Sequence, residues 1–110
     1  MDIAEWWRNQ AEQEIEAVIP KAKEYGSADL EIMGVAMAEM LPDTAEALTM
    51  TEEQRREMGL EMACAFYLLG KTARMFGAYA KGRGPSDDTW HDAAVYTRMG
   101  QYVRENGVWV

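Results

Sequence analysis

The stretch TEEQRREMGLEMACAFYLLGKTARMFGAYA, Thr51 to Ala80, decides the fold. It opens on a capping box, Thr51 answering Gln54, with Glu52 and Glu53 placed in the first turn where acids favour the helix dipole. It is closed by Lys81-Gly82-Arg83-Gly84-Pro85, a helix-breaking run. Between these signals the strong helix formers Ala, Met, Glu, Leu, Arg and Lys dominate. From Met58 to Gly70 apolar residues fall nearly all round the helix, which predicts a buried central rod. Glu61 is the only Asp, Glu, Lys or Arg in that stretch.

Working outward, the same chemistry recurs. Upstream, Ser27 is a good N-cap for a helix over 28–41 that must stop before Pro42. Residues 42–50 form a linker with room for one extra turn. A first helix spans 3–25, ended by Gly26, and Pro20 inside it is expected to kink or split it. Downstream, Ser86 caps a helix over 87–106 that Gly107 stops. The apolar tail Val108-Trp109-Val110 is suited to covering a core edge or a partner. No segment shows the strict alternation of a strand. The expected architecture is all-α, a four-helix bundle-like single domain (residues 1–110) completed by homodimerisation.

Composition narrows the function. A chain of 110 residues is one domain, large enough for a core without disulfides. Its net charge of −8 argues against nucleic acid as a partner, since phosphate-backbone binding needs a cationic footprint. Cys64, the lone cysteine, has no internal partner for a bridge, which suits a reducing compartment. The longest run without a charged residue, Met62 to Gly70, is too short for a bilayer, and the start Met-Asp-Ile-Ala-Glu is acidic where a signal peptide is basic. A cytoplasmic protein with no membrane partner is expected.

Several carboxylates fall where the helices need apolar residues. In the first helix Trp7, Ala11, Val18, Ala22 and Tyr25 form a stripe, and Glu14 lies within it. In the second, Asp29 begins the stripe of Met33, Ala36 or Met37, and Met40. In the last, Val95, Met99 and Tyr102 lead back to Asp92 and Asp88, a more apolar stripe than Trp90, Ala94, Thr97 and Gln101. An unpaired carboxylate in a bundle interior costs several kcal/mol, and acids converging from facing helices are a common way to hold a divalent metal. All-oxygen donors favour Mg²⁺ or Mn²⁺, which usually serve substrate phosphates. Glu61, Asp88, Asp92, Asp29 and Glu14 are therefore the candidate metal ligands. Against this, Asp29 and Asp88 also suit simple dipole capping, Glu14 suits an ion pair, and His91 suits a packing role. Lys71, Arg74 and Lys81 share one helix face and, with Arg83, could grip phosphates. The solvated face of an acidic protein is the plainer account of them. Tyr25, before Gly26, could present a ring for base stacking.

The segments Lys21-Ala-Lys-Glu-Tyr-Gly-Ser-Ala-Asp-Leu30, Leu69-Gly-Lys-Thr-Ala-Arg74 and Asp87-Asp-Thr-Trp-His-Asp-Ala-Ala-Val-Tyr96 carry a resemblance. The chain resembles small phage-encoded helical proteins distantly similar to the all-α nucleoside triphosphate pyrophosphohydrolases, the MazG and dimeric dUTPase-like superfamily. That resemblance implies a magnesium site built from acids on antiparallel helices and cleavage of nucleotides between the α and β phosphates. It implies Glu61 and Asp92 as the first ligands and catalytic carboxylates, with Asp88, Asp29 and Glu14 completing the shell. The family's Glu-x-x-Glu and Glu-x-x-Asp motifs are replaced here by pairs spaced by four, Glu57/Glu61 and Asp88/Asp92, which still share a helix face. An alternative of a different class is a non-catalytic helical phage protein that binds and modulates a host protein through exposed Trp6, Trp109 and methionines. An acidic DNA mimic would instead need its carboxylates on the surface.

Overall fold

The computed structural model describes all 110 residues and contains five helices and no strand. They are α1 (Ile3–Tyr25), α2 (Ala28–Ala38), α3 (Ala45–Leu48), α4 (Glu52–Ala80) and α5 (Asp87–Asn106). The helix starts carry the expected chemistry. The Thr51 hydroxyl accepts from the Gln54 amide at 3.1 Å while the Gln54 side chain accepts from the Thr51 amide at 2.9 Å, closing the capping box of α4. Ser86 accepts from the Thr89 amide at 3.3 Å, and Gly107 ends α5 in the left-handed conformation that favours glycine.

Three local expectations need correction. The second helix stops at Ala38, three residues before Leu41, because the chain tightens into turns bonded to the Met37 and Ala38 carbonyls as it approaches Pro42. Ser27 sits at its N-cap without a side-chain bond to it. Pro20 does not split α1; the helix runs through it, and on this exposed rod water can satisfy the carbonyl that proline leaves unbonded. The linker does hold a turn, α3, capped by the Thr44 hydroxyl on the Ala47 amide.

Helix α4 is the axis of the molecule, with α2 packed on its first half and α5 running back along it. The core consists of Leu30, Leu60, Ala63, Cys64, Val103 and Trp109, with Met33, Met37, Tyr67 and Met99 against it. Two glycines set the α2–α4 crossing. A Cβ on Gly59 would run into the Gly34 carbonyl oxygen, and one on Gly34 would lie 3.1 Å from Leu60. One guanidinium then ties three elements together. Arg56 on α4 reaches Glu31 of α2 at 3.2 Å, Glu53 of its own helix at 2.7 Å and the Gly107 carbonyl after α5 at 2.9 Å.

The burial pattern departs from the stripes read above. No residue of α1 is buried, and Trp7 and Tyr25 are 61% and 75% exposed. Only its C-terminal half lies over the body, where Ala22 meets the core. From Met58 to Gly70, one face of α4 is buried and the other is open, since Ala65, Phe66, Leu69 and Gly70 are exposed. On α5 the preferred stripe is half-buried at Val95 and Met99, while the competing stripe of Trp90, Ala94, Thr97 and Gln101 is mostly exposed. No charged side chain is buried anywhere, so the expectation of carboxylates pointing into a dry core does not hold. One chain has too few layers to enclose them. The tail behaves as expected: Trp109 is buried in the core, edge-on to Tyr102 with ring centres 5.6 Å apart.

Candidate functional site

An open groove of about 770 Å³ runs between α1, the α1–α2 corner and the first turns of α5. Tyr25 and Lys21 come from the end of α1, Asp29 from the first turn of α2, and Asp88, His91 and Asp92 from the first two turns of α5. Helix periodicity explains the last set, since residues three and four apart share a face. Asp29 and Asp88 sit in the first turns of their helices, where the dipole favours an acidic side chain.

The wall of the groove is a stacked pair of rings, Tyr67 of α4 and Tyr96 of α5, with centres 5.1 Å apart and planes 13° from parallel. The same two tyrosines border a second hollow of about 440 Å³ that holds Lys71 and Arg74. Lys71 Nζ lies 3.1 Å from Asp92 Oδ2, linking the acidic groove to the basic hollow. An acid side and a basic side thus meet across one aromatic partition.

The sequence-derived residues sort themselves on this frame. Asp29, Asp88, Asp92 and Tyr25 share the groove, and Lys71 and Arg74 stand behind its wall. Glu14 opens instead onto a smaller hollow between α1 and α5, beside Arg98 and Trp109. Glu61 lies in a hollow with Glu46, Glu57 and Arg104, and Arg104 Nη1 is 3.7 Å from its Oε1. Glu61 and Asp92 therefore face different hollows, each beside a cation of its own. Lys81 is exposed at the end of α4 and Arg83 in the following loop, neither in the groove. No three His, Cys, Asp or Glu side chains gather closely enough to enclose an ion alone.

The sequence reading does not single out Lys21, Tyr67 and Tyr96 as site residues, and gives His91 a helix-surface or packing role. Lys21 is four residues before Tyr25, and Tyr67 is four before Lys71, so helical spacing from residues already chosen was the available signal. Cys64 is buried beside this region but closed off. Burial, reinforced by the Glu61 charge, pushes its thiol up to about 11, which leaves it protonated and unreactive. No family model matches this chain, and no curated protein or solved structure matches it either.

Proposed function

We propose that the groove takes a nucleotide accompanied by a divalent cation, and that the chain acts on phosphates in the manner of the MazG-like proteins it resembles. What carries this is the arrival of Asp29, Asp88 and Asp92 from two helices, with Tyr25, on one groove of nucleotide size. Magnesium binds through one or two carboxylates together with substrate phosphates and waters, so a complete protein cage is not required. The donors suit it: Asp88 and Asp92 share a face of α5 and Asp29 opens onto the same space. Bound there, Mg²⁺ or Mn²⁺ would neutralise phosphate charge that the groove would otherwise repel.

The remaining roles fall to the chain's own side chains. Tyr25, with most of its ring exposed, offers a face for the base. Lys71 can exchange Asp92 for a phosphate oxygen, and Arg74 in the adjoining hollow can accept the outer phosphates bidentately. Asp92, once released, is placed to accept a proton from an attacking water. Glu61 takes no part in this arrangement, since it lines a different hollow beside Arg104.

Thermal melts with a panel of nucleoside triphosphates, each with and without Mg²⁺, test the proposal. A ligand at about 100 times its Kd stabilises the fold by about 2.7 kcal/mol, a clear rise in Tm. The rise should need both nucleotide and cation and should vanish in Asp88→Asn/Asp92→Asn, with any hydrolysis vanishing too. Stabilisation that survives those substitutions, or no shift with any nucleotide at millimolar concentration, overturns it. A second reading, a non-catalytic protein that modulates a host protein, is favoured by the free N-terminal turns of α1, where Ile3, Trp6 and Trp7 are all exposed. It would show partner binding lost in Trp6→Ala/Trp7→Ala without any nucleotide effect.

A further inference from the structure

Helix α1 is the only helix with no buried residue. Its inner side and the face opposite it are nevertheless both apolar. Ile15, Val18 and Ile19 of α1 look across an open hollow of about 290 Å³ at Val95 and Met99 of α5 and at Trp109. Ile15 is 62% exposed there, while Val18, Ile19, Val95 and Met99 are half-buried. Closing such a cleft is favourable, because it withdraws apolar surface from water. One charge stands on each side of it. Glu14 of α1 and Arg98 of α5 both line the cleft, yet neither belongs to an ion pair, and Arg98 reaches only Gln101, at 3.2 Å.

The joint that holds α1 is slight. Only Gly26 and Ser27 connect α1 to α2. Gly26 has a φ of 68° with open space where a Cβ would stand, and the Ser27 side chain makes no capping bond. Hinges are short segments of this kind, which absorb a backbone change without disturbing a packed core. Glu14 lies about 18 Å along the rod from the joint, so a turn of about 10° carries it about 3 Å. The molecule also has surface to lose. It exposes 8090 Å², against about 6,200 Å² expected of a folded 12.5 kDa monomer. Its radius of gyration, 16.2 Å, exceeds the roughly 13 Å of a compact chain of this length.

We infer that α1 swings about Gly26 and Ser27 onto α5, closing the cleft and joining Glu14 to Arg98, and that this movement shuts the acidic groove over its ligand. The two spaces are continuous, since Val18, Val95, Met99 and Trp109 line both, and Ala17 and Lys21 of α1 border the groove. A ligand held between α1 and α5 meets both walls only when they approach, so it favours the closed form. The shutting of the groove rests on its reading as a nucleotide site; the swing of α1 does not.

Spin labels on Glu5→Cys and Glu105→Cys, near the free end of α1 and the last turn of α5, report the swing as a distance. Cys64 stays unlabelled because it is buried and protonated. Glu5 lies about 30 Å from the joint, so the same turn shifts it about 5 Å. The free protein should show a longer and a shorter distance. Glu14→Arg should cut the shorter population about fivefold by setting a repulsion in place of an attraction, and Glu14→Arg/Arg98→Glu should restore it. Saturating nucleotide with Mg²⁺ should make the shorter distance dominant and lower the radius of gyration in small-angle X-ray scattering. One fixed distance, or a shorter population that the exchanged pair fails to restore, overturns the inference. So does nucleotide that stabilises the fold in the melts yet leaves the distances unchanged. A protein that no nucleotide stabilises defeats the reading of the groove alone, because the charge-reversal series follows α1 in the free chain.

Discussion

Replacing Gly59 by alanine sets two effects of known size against each other. Within a helix, alanine is favoured over glycine by about 1 kcal/mol, so propensity predicts a more stable protein. At this position the new Cβ would overlap the carbonyl oxygen of Gly34 and press on Ala38 at 3.2 Å. The obstruction is backbone on the facing helix, so no rotamer change relieves it and α2 must move away from α4. That movement loosens Leu30, Leu60, Met33 and Met37, which meet along this crossing. Overpacking costs about 1–3 kcal/mol, and a backbone obstacle belongs at or above the upper end. The expected net loss is about 2 kcal/mol, or about 8 °C or more in Tm for a domain of this size. Gly100→Ala supplies the control, since its Cβ would lie at an ordinary 3.4 Å from Cys64 and should gain up to about 1 kcal/mol. Urea and thermal melts followed by circular dichroism measure both. A Gly59→Ala protein as stable as the parent would refute the close crossing of α2 and α4.

Other consequences follow from single contacts. Arg56→Met releases Glu31, Glu53 and the Gly107 carbonyl together, and should lower Tm by a few degrees. The Arg56 guanidinium holds the Glu53 carboxyl below its ordinary 4.5, so this stabilisation is present above 4.5 and is lost as the pH falls through the depressed value; the acid limb of a stability–pH curve should be shallower in Arg56→Met. The Cys64 thiol, raised to about 11 from 9.0, contributes stability below pH 9 that disappears as the pH rises toward 11. It should resist iodoacetamide at pH 8 until urea opens the core, and rapid labelling of the native protein would contradict its burial. Trp109→Ala removes a core side chain that covers Leu60 and Val103, at a cost of about 3 kcal/mol or more read from urea melts.

Most of the helical framework was legible because its signals are local. Thr51 and Gln54 meet within one turn, Ser86 reaches only to Thr89, and Gly107 needs nothing but its own positive φ. The end of α2 was misplaced by three residues because a turn can hold carbonyl bonds that a longer helix would also hold. The site was half legible. Asp29, Asp88, Asp92 and Tyr25 share one groove, whereas Glu61 lines another. A hydrophobic stripe shows which way a side chain turns around its own rod and is silent about which neighbour stands there.

The order of residues along the chain was enough to settle that this protein is helical, where most of its rods start and stop, and that it is strongly acidic. Those properties depend on dihedral preferences, caps within four residues and a count of charges. The fold settled that two glycines bring α2 onto α4, that Lys71 meets Asp92, that Arg104 meets Glu61, and that one face of α4 stays open. Each of these depends on rods far apart in sequence being set at a particular distance and rotation, and no local preference contains that information.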